Sequence, residues 1–245
     1  MRVTSTSTQS LGKVKMIIYG ESGAGKTSLA KTINEPTLII SSEGGLLCLQ
    51  DHEPPIDVID ITLDDDENLI PKEERIKRLG KVYEYLLTDE CKKKYKWIFI
   101  DSLSEISQNM MEALNVEFPE RKDSLVMYGE NAKRMRSLVK SFRDLPCYNV
   151  VFTALQSTDK DDTNKRYTGI SVVGKISEQL PAFFDEVFYM NAIEDKETNT
   201  VKRFLVTSKT DGLVAKDRSG KLERINPADL GLIASKINKT NKKEQ

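Results

Sequence analysis

Gly20-Glu-Ser-Gly-Ala-Gly-Lys-Thr27 decides how the rest of the chain is read, together with Val14-Lys-Met-Ile-Ile-Tyr19 before it and Ser28-Leu-Ala-Lys-Thr-Ile33 after it. The central octet matches GxxxxGK[ST] at each fixed position, and its flanks read as a buried strand and a helix. Gly23 and Gly25 permit backbone conformations that wrap amides around phosphate oxygens. The start of the following helix, expected over residues 26–33, adds free N–H groups. Lys26 has the reach for β- and γ-phosphates, and the Thr27 hydroxyl suits Mg²⁺. Gly20, Glu21, Ser22, Gly23, Ala24, Gly25, Lys26, Thr27 and Ser28 are therefore expected to hold a nucleoside triphosphate, with Mg²⁺ as cofactor.

Working outward, apolar β-branched runs recur at residues 14–19, 37–40, 58–61, 97–100, 150–154, 187–190 and 204–207. Such short runs suit strands buried on both faces. Helical spacing appears at 71–87, 104–116, 128–142 and 227–237. The alternation predicts an α/β fold of three layers, with a mainly parallel central sheet covered by helices on both faces. Ligands then bind at the carboxyl ends of the strands. Residues 157–167 form the longest polar stretch without periodicity, and are expected to be a functional loop. Residues 1–11 read as a flexible lead-in, 12–237 as one core, and 238–245 as a polar lysine-bearing tail.

Three of the strands end in polar residues suited to phosphoryl chemistry. Lys96-Trp-Ile-Phe-Ile-Asp101 delivers Asp101 to the side of the phosphate loop, as a Walker B carboxylate holding the Mg²⁺ shell requires. Metal-binding is thus assigned to Thr27 and Asp101. Leu38-Ile-Ile-Ser-Ser-Glu43 ends in a carboxylate able to orient and deprotonate an attacking water. Val150-Val-Phe-Thr-Ala-Leu-Gln156 ends in an amide able to sense the γ-phosphate. Lys26, Glu43, Asp101 and Gln156 are the expected catalytic set.

Bulk properties exclude several classes. The 245 residues carry a net charge of -1, so global charge points to no nucleic-acid partner and any such site must be local. Cys48, Cys91 and Cys147 are scattered and odd in number, which argues against a disulfide framework or zinc site and for a reducing cytoplasm. Each reads as a small buried apolar residue, and His52 as a loop residue. No run approaches the ~18 apolar residues of a membrane span, and the first ten residues lack a signal peptide's apolar region.

The order of these elements resembles the ATPase core of RecA-like recombinases. It is closer still to short phage P-loop proteins that consist of a RecA core and act in recombination and single-strand annealing. Phe142-Arg-Asp-Leu-Pro146, Leu180-Pro-Ala-Phe-Phe-Asp-Glu-Val187, Ser208-Lys-Thr-Asp-Gly212 and Ala215-Lys-Asp-Arg218 extend the likeness over residues 12–225. The resemblance implies ATP hydrolysis and binding of single-stranded DNA. The DNA-binding residues would be Lys160, Lys165, Arg166, Tyr167 and Lys175, with Asp159, Asp161 and Asp162 interspersed. Lys209, Lys216 and Arg218 would be cations that reach a neighbour's nucleotide, so the expected assembly is a homo-oligomer with nucleotide at the subunit interface. A single-strand-binding protein is a further expected partner, and the host cytoplasm the expected location.

Two other classes are open on sequence. A GTP-binding switch would use Lys209 and Asp211 of Phe204-Leu-Val-Thr-Ser-Lys-Thr-Asp211 to read guanine, although Asp101-Ser-Leu-Ser104 has Ser where a GTPase has the glycine that senses the γ-phosphate. A small-molecule kinase would need an arginine-rich lid, for which Arg75 and Arg78 are the nearest residues.

Overall fold

The computed structural model describes residues 13–120, 123–160, 164, 166–210 and 212–239. Ten strands among them form one sheet: β1 (Lys15–Gly20), β2 (Thr37–Ser41), β3 (Asp57–Asp60), β4 (Trp97–Asp101), β5 (Asn149–Lys160), β6 (Arg166–Ser171), β7 (Glu186–Asp195), β8 (Thr200–Val206), β9 (Lys216–Asp217) and β10 (Ile225–Pro227). The spatial order is β10-β8-β7-β1-β5-β4-β2-β3. All neighbours from β7 to β3 pair in parallel, while β6, β8, β9 and β10 join in antiparallel fashion.

The apolar runs became strands because both faces of the sheet are covered. Ile17 and Tyr19 of β1 point into one core, built against α1 (Lys72–Leu86), α3 (Leu103–Glu117), α4 (Ser124–Arg143) and α5 (Ile176–Phe183). Met16 and Ile18 point into a second core, shared with Leu29, Ala30 and α6 (Leu230–Asn238). This is the period-two alternation of a strand with an apolar layer on each side. The sheet is α/β, three-layered and mainly parallel, as the sequence predicts.

Side-chain caps set the helix starts. Ser102 caps α3, Asp123 caps α4, Asp229 caps α6, and Thr88 caps the short α2 (Asp89–Lys94).

Four expectations need correction. Within 157–167, the described residues 157–160 and 166–167 are strand rather than loop. β5 runs on to Lys160 and β6 returns from Arg166, paired from Leu155↔Ser171 to Lys160↔Arg166. This hairpin leaves the covered part of the sheet, so its residues are polar and give no apolar signal. The helix expected over 26–33 is a six-residue 3₁₀ helix, Thr27–Thr32, whose alignment of peptide dipoles is correspondingly short. The last helix begins at Leu230, since Pro227 lies in β10. Cys91 is buried as expected, but Cys48 and Cys147 are exposed and all three are free thiols.

Candidate functional site: the phosphate loop and its strand-end neighbours

β1 delivers the phosphate loop between β5 and β7, at the carboxyl end of the parallel strands. Gly20 sits so close to β7 that a Cβ there would lie 2.5 Å from the Met190 carbonyl oxygen. Gly23 and Gly25 have φ of 78° and 100°, in the region that only glycine enters without strain. Ala24 is buried and anchors the loop into the core behind it.

Lys26 is 8% exposed and its ammonium donates to the carbonyls of Gly20 (3.0 Å) and Glu21 (2.6 Å). Burial lowers its pKa, while Asp101, Glu43 and Glu21 act in the opposite sense. A bound polyphosphate would favour the charged form in the same way.

Asp101 ends β4 and is 7% exposed. One carboxylate oxygen accepts from the Thr27 hydroxyl at 2.5 Å, and the other accepts from Thr153 on the adjacent β5. Glu43 follows β2 and is exposed, with its carboxylate accepting from the Ser102 hydroxyl. Ser42 ties the two strand ends together: its N–H donates to the Asp101 carbonyl (2.7 Å), and its hydroxyl accepts from the Ser102 N–H (2.9 Å). Gln156 lies one residue past Leu155, the partner of Gly20, and its amide donates to the Glu21 carboxylate at 3.1 Å. The Gln156 side-chain oxygen, Oε1, is buried without a hydrogen-bond partner among the described residues.

Gly23, Gly25, Lys26, Thr27, Glu43 and Asp101 line one cavity of about 320 Å³. Sequence reasoning missed three residues there. Ser102 orients Glu43, Thr153 holds Asp101, and Arg203 reaches over from β8 to line the same cavity. Ser102 directly follows Asp101, and Thr153 lies on the strand whose run was read as ending at Gln156. Arg203 carries a weaker signal, a lone arginine two positions before the buried pair Leu205–Val206.

The remaining predicted residues lie elsewhere. Lys160 and Arg166 are cross-strand partners at the outer end of the hairpin, and both are exposed. Tyr167 is half-buried, opposite Asp159, and its phenol folds back over Gly169. Lys175 is exposed and immediately precedes α5. Lys165, Asp161, Asp162 and Asp211 lie outside the described residues.

Lys216 and Arg218 do not approach the cavity of their own chain. β9 pairs with the first residues of β7, which are level with the start of β1 rather than its end. There the Lys216 ammonium donates to the Pro181 carbonyl (2.6 Å), and Arg218 pairs with Asp185 (2.6 Å). Lys209 is exposed beyond β8.

The geometry weighs against the two other classes. Ser104 is buried in the first turn of α3, where its hydroxyl donates to Ser171 and accepts from the Leu155 N–H. It is a structural brace, not a phosphate sensor. Arg75 and Arg78 of α1 hydrogen-bond to Ile70 and Asp65, away from the phosphate loop. No lid is built from them.

A glycine-kinked phosphate loop at the carboxyl end of a parallel sheet, with a buried lysine and a strand-end aspartate on its threonine, defines a nucleotide-binding P-loop domain. The chain belongs to the AAA-domain family, whose model matches residues 12–219. It is thus a P-loop ATPase-type domain. No curated protein matches it. Similar solved structures include an ATPase from the type III secretion system of pathogenic bacteria. That protein is 14% identical, with a TM-score of 0.49 over 74% of this chain and 53% of the other. The chain thus spans about half the length of that relative. Among the described residues, no helix is long and apolar enough to cross a membrane.

Proposed function

We propose that the protein binds ATP with Mg²⁺, hydrolyses it to ADP and phosphate, and uses the cycle to adjust its hold on single-stranded DNA. The observation that carries the reading is the convergence of Lys26, Thr27, Asp101 and Glu43 on one cavity beneath a glycine-kinked loop.

Loop amides and the Lys26 ammonium hold the phosphates. The Glu43 carboxylate, fixed by Ser102, orients a water and takes its proton as the water oxygen bonds to the γ-phosphorus. The bond from that phosphorus to the β–γ bridging oxygen breaks, and ADP leaves with the electron pair. Thr27 and Asp101 offer the hard oxygen donors that Mg²⁺ prefers. Among the described residues no cluster of three or more His, Cys, Asp or Glu side chains is placed to hold a metal, so phosphate oxygens and water would complete the shell. When bound, the ion neutralises charge on the phosphates.

The DNA part of the reading rests on continuity. Gln156 contacts the phosphate loop through Glu21, and the same strand runs straight on into the hairpin that presents Lys160 and Arg166. The Tyr19 hydroxyl, one residue before the loop, donates to the Val214 carbonyl at 2.6 Å and approaches the Thr168 carbonyl at 3.3 Å. A shift of the loop is therefore passed to the hairpin at two points. In this reading Lys165, Tyr167 and Lys175 extend the strand-binding surface. Lys209, Lys216 and Arg218 serve a neighbouring subunit's nucleotide, and the protein works in phage-type recombination or annealing in the cytoplasm beside a single-strand-binding protein.

The test is the rate of phosphate release with and without single-stranded DNA, paired with anisotropy of a labelled oligonucleotide at low salt. Hydrolysis without DNA binding in any nucleotide state defeats the DNA half. No Mg²⁺-dependent hydrolysis of ATP defeats the whole.

A further inference from the structure

β7 and β8 continue as a two-stranded ribbon beyond the point where β7 leaves β1. β1 pairs with β7 only as far as Tyr189, whereas the β7–β8 ladder extends to Asp195↔Thr200. The ribbon therefore stands beside the phosphate loop. Its register decides which side chains face that loop. Leu205, opposite Met190, points into the core that also takes Ala24. Arg203 is two residues earlier on the same strand, so it shares that face and lies one step past the edge of the core. Its cross-strand partner is Ala192, whose small side chain leaves the space open.

Arg203 uses that space to lie against the loop. Its Nε–H donates to the Ala24 carbonyl at 3.1 Å. A Cβ on Gly25 would come within 2.8 Å of Nε and 3.0 Å of Cδ, so the loop glycine and the arginine fit each other. The side chain lines the cavity together with Lys26, Thr27 and Asp101. Among the described residues, the two terminal guanidinium nitrogens have no hydrogen-bond partner. The cation is thus fastened by one nitrogen at the rim of the cavity that the side chain lines.

We infer that Arg203 is a phosphate-binding residue of this site, supplied by the same chain as the phosphate loop, and that it contacts the α/β end of the polyphosphate. The inference rests on the cavity being a nucleotide site. The assignment to the α/β end follows from position. Backbone amides of such a loop cradle the α- and β-phosphates, whereas Lys26 reaches toward β and γ. Arg203 touches the loop at Ala24 and Gly25, on the cradle itself, and stands across it from Glu43 and Asp101. Guanidinium suits the task because its planar fork meets two phosphate oxygens at once. This cation does not depend on a neighbouring subunit, unlike the roles proposed for Lys209, Lys216 and Arg218.

The test is equilibrium binding of fluorescent ADP and ATP analogues with Mg²⁺ to the full chain carrying Arg203→Gln or Arg203→Lys. Gln keeps an N–H donor and removes the charge. Lys keeps the charge and removes the fork. Arg203→Gln is expected to weaken ADP and ATP alike, by roughly tenfold to a hundredfold, with a shallower dependence of affinity on salt. Arg203→Lys is expected to restore the wild-type salt dependence and to recover only part of that loss, since it lacks the fork. Unchanged affinity in Arg203→Gln overturns the inference. Equal loss in both variants with the wild-type salt dependence also overturns it, since that is the signature of a prop for the loop. Loss for ATP but not ADP overturns the α/β assignment. If the unaltered chain binds neither nucleotide, the nucleotide reading itself falls, which separates the two failures.

Discussion

Glu43→Gln should stop turnover and leave nucleotide binding intact. The residue is exposed and its carboxylate is held by the Ser102 hydroxyl. Glutamine keeps the same length and its amide oxygen still accepts from Ser102, so the side chain should stay in place. Being outside both cores, it should change stability by no more than about 0.5 kcal/mol. What is lost is the proton acceptor. A positioned general base contributes about 10²–10⁴ in rate, or roughly 3–5 kcal/mol of barrier. Affinity should hold or rise, because removing one negative charge from the cavity lessens repulsion of the phosphates. Single-turnover phosphate release measures the chemical step, and a fluorescent ATP analogue measures binding. Turnover within about threefold of wild type, with normal binding, would remove Glu43 from the mechanism. Loss of binding together with turnover would make it a structural residue instead. Ser102→Ala supplies the intermediate case. It leaves the base but frees its orientation, and a drop of roughly tenfold is expected.

Glu186 gives a pH signature. It is 2% exposed, and burial, followed by the nearby Asp217, raises its pKa to about 8. Its stabilising contribution is therefore complete below the unfolded value of about 4.3 and is lost as pH rises toward 8. Glu186→Gln should flatten that decline and exceed wild type by roughly 3 kcal/mol at pH 8 in chemical denaturation, and parallel pH profiles for the two proteins would sink the idea. Gly20→Ala puts a methyl 2.5 Å from the Met190 carbonyl oxygen, so β1 and β7 must part. A stability loss of roughly 1–3 kcal/mol with weakened nucleotide binding is expected, and an unchanged denaturation midpoint would show that the strands yield freely. Reversing both hairpin charges, Lys160→Glu with Arg166→Glu, should abolish oligonucleotide anisotropy at low salt while ATP binding persists. Retained DNA binding would move the interface off the hairpin.

The sequence was legible where burial imposes a pattern. β1, β4 and β5 announce themselves because both faces of the central sheet are covered, so nearly every residue must be apolar. A polar residue closing such a run is then conspicuous, which is how Glu43, Asp101 and Gln156 were found. Where the chain leaves the covered region the pattern disappears. The outer residues of β6, 166–168, are exposed or half-buried, and the run of Arg, Tyr, Thr and Gly carries no period that separates it from a loop. α5 was missed because it is eight residues long, contains Pro181 and lacks a side-chain cap. Arg203 shows a different limit. Its role comes from a register between two strands, and no local spacing encodes which residue of β8 stands over the loop of β1.

β5, rather than any other strand, would link nucleotide to DNA in the proposed cycle. Three of its residues touch the site or its brace, through four contacts. Thr153 holds the Asp101 carboxylate, the Leu155 N–H bonds Ser104 of α3, Leu155 pairs in register with Gly20, and Gln156 bonds Glu21. Beyond Gln156 the strand pairs with β6, and β6 is held by Ser104 to the Ser171 carbonyl, by Tyr19 to Thr168 and by backbone bonds of Thr168 to Gly212 and Val214. Tyr19 is one residue before the phosphate loop, and Ser104 is three residues past the end of the Walker B strand. Phosphate arriving in the cavity competes for Lys26 and for the Gln156 amide, whose present partners are the loop's own carbonyls and Glu21. In the proposed cycle, exchange of those partners would change restraints at the root of the hairpin, and a small rotation at the root would become a larger displacement at Lys160 and Arg166. β2 and β4 end at the site and have no such extension, so they bear on the chemistry alone.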